Sequence, residues 1–152
     1  MRTHLIAVGR MKAGAERTLF DHYAARLNPP VQMREVEEKR ALPSDQLKAR
    51  EAELLLGAVP DGAVLVAMDE RGKTLGSVAF AKKIGLWRDE GMRDLAFLIG
   101  GADGLDKQVR QKADLVLSLG DMTWPHMLVR GLLAEQLYRA NAILSGHPYH
   151  RE

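Results

Sequence analysis

The chain has 152 residues, of which 46% are hydrophobic and 28% charged, and its formal net charge is +2 at pH 7. This length predicts one globular domain, residues 1–152, with one core. The sequence contains no cysteine, which excludes disulfides, thiolate catalysis and sulfur-ligated zinc. No run approaches the roughly 20 apolar residues of a membrane span, and the apolar run at residues 1–9 is too short for a signal peptide and lacks its cleavage site. The compartment is left open, and a cytoplasmic location is compatible with these features.

Apolar runs and amphipathic segments alternate along the whole chain. Apolar or β-branched runs predict strands over 3–8, 31–36, 63–68, 94–99 and 115–117. Helical spacing predicts helices over 15–27, 45–56, 78–90, 106–112 and 125–144. Ser44 and Ser77 are expected to cap the second and third helices, and Gly146 is expected to end the last one. Residues 69–73 are predicted to form a polar turn.

Strict alternation of strand and helix predicts the α/β class, with a mostly parallel sheet covered by helices on both faces. Ligands in such sheets bind outside the carboxyl ends of the strands. Three loops meet that description and are rich in small or polar residues: those after Met68, Ile99 and Leu117. The sequence therefore predicts a ligand pocket where these loops meet.

The glycine-rich loop at residues 99–104, Ile-Gly-Gly-Ala-Asp-Gly, allows three interpretations. Its spacing is not that of a dinucleotide-binding loop, and it follows a late strand, which argues against a nicotinamide cofactor. The glycines could simply supply a tight turn. They could also let a ligand approach the main chain closely.

The last helix carries apolar residues over more than one stripe, which predicts that a second face meets another subunit. Gly131 and Ala134 would allow another helix to approach closely. Glu135 and Arg139 are spaced to pair on the helix surface. His126, in the first helical turn, is either a packing residue or a functional one.

The C-terminal tail is unusual because tails ordinarily carry little. It contains His147, Tyr149, His150 and Arg151, which hydrogen-bond, stack or move protons. A metal site at the two histidines lacks a third ligand, so no metal is predicted. An ordered tail that completes an active site is the favoured interpretation.

Several motifs in this order resemble the RlmH family of SPOUT-superfamily methyltransferases. They are Phe-Leu-Ile-Gly-Gly-Ala-Asp-Gly at 97–104, Leu-Ser-Leu-Gly-Asp-Met-Thr-Trp-Pro-His at 117–126, Arg130, Glu-Gln-Leu-Tyr-Arg-Ala at 135–140, and His-Pro-Tyr-His-Arg at 147–151. The resemblance covers the whole chain. It implies methylation of N3 of a pseudouridine in bacterial 23S ribosomal RNA, on the assembled ribosome.

The resemblance also implies a deep C-terminal trefoil knot, an obligate homodimer and S-adenosylmethionine bound in the knot. The implied cofactor pocket comprises Met68, Gly100, Gly101, Leu119, Gly120, Asp121, Met122, Thr123, Trp124 and Pro125. Two features depart from the family pattern. Gly120-Asp121 replaces small or hydroxyl residues, and Trp124 replaces an aliphatic residue, so that it would stack on the adenine or crowd it.

The implied chemistry needs alignment of the methyl donor with the ring nitrogen and removal of the N3 proton. His126, Tyr149 and His150 are the candidates for base or orienting group, with Arg139 stabilising the developing anion. The tail is expected to serve the partner subunit's pocket. A basic rim is expected to contact RNA; its candidates are Arg10, Lys12, Arg17, Arg71 and Lys73. A non-enzymatic ribosome-binding protein and a nucleotide-binding oxidoreductase are the competing interpretations.

Overall fold

A computed structural model describes residues 1–151 and contains five strands and five helices in strict alternation. The strands are β1 (Arg2–Val8), β2 (Gln32–Val36), β3 (Val64–Thr74), β4 (Asp94–Ile99) and β5 (Leu115–Ser118). The helices are α1 (Ala15–Ala24), α2 (Ser44–Gly57), α3 (Ser77–Asp89), α4 (Lys107–Lys112) and α5 (His126–Ser145). The predicted element order is confirmed.

All strand pairs are parallel, and the sheet order is β2-β1-β4-β3-β5. Helices α1, α3 and α5 contribute to the core on one face, and α2 and α4 to the core on the other. Every residue of β4 is buried, because neighbouring strands flank it on both sides and helices cover both faces. The α/β class and the covered parallel sheet are therefore confirmed.

Strand β3 is longer than the sequence predicted, and the polar turn at residues 69–73 is wrong. The strand continues to Thr74, with an irregularity between Met68 and Lys73, and its end pairs with β5. The polar composition of this segment predicted a loop. In the structure, Lys73 pairs with Leu117, so the backbone groups of the segment are satisfied by a neighbouring strand. Residues 69–72 are thereby held beside the carboxyl end of β5.

Gly72 lies where β3 passes very close to the backbone of β5. An added Cβ at this position would lie 2.5 Å from the carbonyl carbon of Val116, so only glycine fits against that backbone. This close passage occurs in the region where the resemblance places the trefoil knot. The passage is consistent with a knot, which stays a prediction.

Helix α5 packs against both α1 and α3 within the same chain. A Cβ added at Gly131 would lie 2.6 Å from Cδ2 of Leu19 in α1, so the close helix approach predicted at Gly131 occurs inside the subunit. These contacts account for much of the apolar surface that suggested a second subunit. The helix ends at Gly146, whose φ of 76° confirms the predicted left-handed cap.

The predicted helix caps at Ser44 and Ser77 are wrong. Pro43 and Gly76 occupy the cap positions, and neither serine makes a side-chain cap hydrogen bond. The hydroxyl of Ser77 instead donates to Oε1 of Gln136 on α5 at 2.8 Å. Helix α1 ends at Ala24, earlier than predicted. Within residues 1–151 no helix is both long and apolar enough to cross a membrane.

Candidate functional site

The three predicted loops meet at the carboxyl edge of the sheet around a cavity of about 260 Å³. The sequence-predicted residues on its wall are Met68, Gly100, Gly101, Leu119, Gly120, Met122, Thr123, Trp124 and His126. Asp121 and Pro125 belong to the same loop but do not line the cavity. The convergence of the loops is confirmed; the roles of these residues stay predictions.

The loop after β4 is a tight turn as well as a cavity wall. Gly101 accepts a backbone hydrogen bond from Gly104 at 3.0 Å, and a Cβ at Gly100 would lie 2.8 Å from the carbonyl carbon of Gly104. A Cβ at Gly101 would lie 3.1 Å from Val8 and 3.3 Å from Oε2 of Glu51. Glycine is therefore required by the turn itself, and the same compactness leaves main chain exposed to the cavity.

The loop between β5 and α5 begins with a small turn that is closed by two hydrogen bonds of Ser118. The hydroxyl of Ser118 donates to the carbonyl of Gly120 at 2.9 Å and accepts from its N–H at 3.1 Å. Beyond this turn, Met122 is 75% exposed and Trp124 is 40% exposed, although both line the cavity. Large apolar side chains with this much solvent exposure provide a contact surface for a ligand or partner.

Three carboxylates and one guanidinium line the cavity. The carboxylates belong to Asp69, Glu70 and Asp103, and the guanidinium belongs to Arg71. Asp69 also accepts from the backbone N–H of Arg71 at 2.9 Å and lies 3.5 Å from Nη1 of Arg110. Behind the glycine loop, burial and then the charge of Asp103 raise the pKa of Glu51. This wall favours a ligand that carries positive charge.

His126 lies on the cavity wall at the start of α5. Burial, and then the positive charge of Arg130, lower its pKa. The ring is therefore neutral near pH 7, with one nitrogen free to accept a proton.

A second cluster joins the C-terminal tail to α5. Oε1 of Glu135 accepts hydrogen bonds from Nε of Arg139 at 3.0 Å and from the hydroxyl of Tyr149 at 2.9 Å. Nη1 of Arg139 lies 3.1 Å from Nδ1 of His150, and the guanidinium stacks over the Tyr149 ring at 4.8 Å. Tyr149 and His150 are thus held against α5, and the role of the tail in an active site stays a prediction. The Glu135–Arg139 pair is part of a partly buried network rather than a solvated surface pair.

The hydroxyl of Tyr149 is held in its protonated form. Burial, followed by hydrogen bonds to Tyr23 and Glu135, raises the pKa of Tyr149 well above its usual value. The ring also packs edge-on against Tyr138, with centroids 4.7 Å apart. Tyr149 can therefore donate a hydrogen bond at neutral pH but cannot act as a base. Across the described 151 residues no cluster of three or more metal-ligating side chains is present.

The structure does not bring His126 and the tail cluster together within one chain. Arg139 lies thirteen positions beyond His126 on the same helix, which at 1.5 Å per residue places the two about 20 Å apart along the axis. Within one chain, the cavity residue His126 and the tail cluster therefore belong to two separate places on α5.

Arg130 has a role that the sequence did not reveal. Its side chain is fully buried, and its Nη2 donates to the carbonyls of Val8 and Gly9 at 3.0 and 2.9 Å. Its Nη1 lies 2.5 Å from Oε2 of Glu35, while Nε is buried without a partner. A charged residue within an apolar helix was the one available signal, and it could not identify these partners on β1 and β2.

Comparisons with known proteins agree with this arrangement. A protein-family model described as "Predicted SPOUT methyltransferase" matches residues 1–150. The chain is 62% identical over 151 residues to ribosomal RNA large subunit methyltransferase H of Paramagnetospirillum magneticum, covering 99% of both chains. It is 58% identical to the protein of the same name from Rhodospirillum centenum, again covering 99% of both.

Among solved structures, the chain is similar to a probable methylase family protein from Haemophilus influenzae. The TM-score is 0.58 at 13% identity, covering 99% of this chain and 70% of that one, which supports the fold alone. The family match spans nearly the whole sequence, including the three loops that enclose the cavity. The chain belongs to the SPOUT methyltransferases and, within them, to the RlmH family.

Proposed function

We propose that residues 1–152 form a single SPOUT methyltransferase domain that methylates N3 of a pseudouridine in bacterial 23S ribosomal RNA, with S-adenosylmethionine as methyl donor. The relatives' name, ribosomal RNA large subunit methyltransferase H, supports the reaction class and the RNA. The observation that carries the proposal is the cavity enclosed by the loops after β3, β4 and β5.

The chemistry of the cavity wall fits this cofactor. Met122 and Trp124 offer exposed apolar surface to an adenine ring. Asp69, Glu70 and Asp103 suit the sulfonium and amino groups, which are both cationic. Gly100 and Gly101 leave main-chain groups accessible beside them. When bound, S-adenosylmethionine supplies a methyl group that is already activated for transfer.

The residues of the chain have two tasks, which are alignment and removal of the N3 proton. The N3–H bond must break as the new N3–carbon bond forms, and negative charge develops on the carbonyl oxygens of the base. Arg139 stabilises that charge, and Tyr149, whose proton is donated to Glu135, orients the guanidinium of Arg139 by stacking against it. The proton is accepted by a histidine, either His126 on the cavity wall or His150, whose Nδ1 must first release its hydrogen bond from Arg139.

The proposal includes a homodimer, in which the tail of one protomer completes the cavity of its partner. The separation of about 20 Å between His126 and Arg139 along α5 supports this arrangement. The substrate is the assembled ribosome in the cytoplasm, because a net charge of +2 offers little general affinity for free RNA.

Mass spectrometry of ribosomal RNA from a strain that lacks the gene tests the function. We expect one methylated pseudouridine to lose its methyl group, and the wild-type gene to restore it. Arg139→Ala and His150→Ala genes should fail to restore it. Unchanged modification in the deletion strain would defeat the proposal and favour a non-enzymatic ribosome-binding protein, and full restoration by both variants would defeat the assigned roles.

A further inference from the structure

The loop of residues 9–14, between β1 and α1, is tied down at several points although most of its side chains are exposed. The backbone N–H of Met11 donates to Oε2 of Glu35 at 2.6 Å, and its carbonyl accepts from Nη1 of Arg17 at 3.2 Å. The Met11 side chain is 4% exposed and so anchors the loop in the core. Arg10 and Lys12, on either side of it, face solvent.

Arg130 makes further contacts that anchor this loop. It is fully buried, and it holds the carbonyls of Val8 and Gly9 while pairing with the same Glu35 oxygen that accepts from Met11. Burying a guanidinium is costly even when it is well paired, and here Nε has no partner. The buried guanidinium fixes the position of the loop through these hydrogen bonds. Arg130 has no role in the proposed methyl transfer.

The loop lies beside the cavity. A Cβ added at Gly9 would lie 3.4 Å from Cε of Met127, which follows the cavity residue His126 in the first turn of α5. Neither Arg10 nor Lys12 makes a side-chain hydrogen bond or ion pair with any of residues 1–151. Two exposed cations therefore extend from an anchored loop that contacts the first turn of α5, where His126 lines the cavity.

Charge decides what these cations contact. The cavity wall carries the three carboxylates of Asp69, Glu70 and Asp103 and one guanidinium, that of Arg71, so its excess of negative charge disfavours phosphate. An RNA strand that presents a base to the cavity needs a positively charged surface nearby for its backbone. The loop of residues 9–14 provides one, and its rigidity lowers the entropic cost of binding.

We propose that the loop of residues 9–14 is a preorganised contact for RNA backbone phosphates, made through Arg10 and Lys12 and positioned by Arg130 and Glu35. The proposal rests on the proposed function, because it assumes an RNA substrate. It names the surface along which that RNA reaches the cavity.

The double variant Arg10→Ala/Lys12→Ala tests the contact on the full chain. Binding to ribosomes purified from a strain lacking the gene should weaken about tenfold or more, and the slope of log affinity against log salt should fall by about two, since each lost phosphate contact removes close to one unit. The matched control is Arg93→Ala/Lys112→Ala, two exposed cations near the amino ends of β4 and β5. Equal losses in the two variants, or an unchanged salt slope in the first, would overturn the proposal.

A second measurement identifies the partner class directly. Because the chain contains no cysteine, Lys12→Cys places a single thiol on the loop for a photo-activated crosslinker, with Lys112→Cys as the control. Crosslinks from position 12 to ribosomal RNA support the proposal, whereas crosslinks to ribosomal proteins alone refute it. Calorimetry with S-adenosylmethionine keeps the two proposals separate: a wild-type chain without cofactor affinity defeats the methyltransferase, while a double variant with normal cofactor affinity and weak ribosome binding identifies the loop.

Discussion

The hydroxyl of Tyr149 donates a 2.9 Å hydrogen bond to Oε1 of Glu135, joining the end of the chain to the middle of α5. The same oxygen accepts from Arg139, and Oε2 accepts from Gln136 at 3.0 Å. One carboxylate therefore sets the positions of both an arginine and a tyrosine that we place in the reaction. Glu135 is a positioning residue.

Glu135→Gln should reduce kcat about 100-fold, because the neutral amide holds the guanidinium and the phenol less firmly and small misplacements are costly in catalysis. The KM for S-adenosylmethionine should stay unchanged, because Glu135 does not line the cavity. Steady-state methyl transfer to ribosomes provides both constants. Glu53→Gln is the matched control, since Glu53 forms an exposed i,i+3 pair with Arg50. A kcat near wild type in Glu135→Gln would contradict the positioning role.

Gly72→Ala should destabilise the fold by about 3 kcal/mol or more, because the new Cβ would overlap backbone that cannot move aside. The nearest atoms belong to Val116 and lie 2.5 Å from the Cβ position. Gly76→Ala is the control, since nothing lies within 4 Å of its Cβ position. Urea unfolding compares the two variants with the wild type. Equal stability of both would show that the strands relax apart at this crossing.

The sequence predicted the order of elements because apolar runs and helical spacing are local properties. It missed the continuation of β3, where polar residues are held by pairing with β5, a partner more than forty positions away. It also missed the function of Arg130, whose acceptors lie on β1 and β2. Long-range partners of polar groups cannot be read from periodicity, which records only which side of an element is buried.

For the same reason, the sequence predicted the loops of the candidate site but not the network around Glu135. The general rule on parallel sheets placed the three loops at one cavity, and the structure confirms that convergence. The network around Glu135 depends on the path of the tail after Gly146, which no spacing rule specifies. The acidic wall includes Asp69 and Glu70, whose position follows from the extended end of β3.

Trp124 should report cofactor binding by fluorescence. It lines the cavity and is 40% exposed, so a stacked adenine changes its environment, whereas Trp87 lies on α3 outside the cavity. In a Trp87→Phe variant, emission should change when S-adenosylmethionine is added. The Trp124→Phe variant is the control and should show no change. Absence of a signal in Trp87→Phe, with binding detected by calorimetry, would place the adenine away from Trp124.

Glu51→Gln should increase the free energy of unfolding at neutral pH. Glu51 is 8% exposed, and burial and Asp103 raise its pKa, so the folded state binds its proton more tightly than the unfolded state does. Stability from this group is therefore lost as pH rises from the ordinary glutamate pKa through the raised one. The greater stability of Glu51→Gln over the wild type should appear between these two pKa values and persist at higher pH.

Urea unfolding of Glu51→Gln and wild type between pH 4 and pH 8 measures this difference, with Glu37→Gln as an exposed control. The Glu37 variant should match wild type across the range. A Glu51 variant whose advantage is the same at every pH would mean that packing rather than ionisation causes the change.

A mixed dimer tests whether the tail acts on the partner's cavity. Arg139→Ala disables the tail cluster, and Met122→Arg/Trp124→Arg places cations in the cavity at two exposed positions, where they oppose a cationic cofactor. Each variant alone should be inactive. If sites are shared between protomers, each mixed dimer keeps one complete site, and a randomised one-to-one mixture should recover roughly one quarter of wild-type activity. Methyl transfer by the co-refolded mixture measures the recovery. If each site were built from a single chain, the mixture would recover no activity, because every protomer in it has either a disabled tail cluster or a disabled cavity.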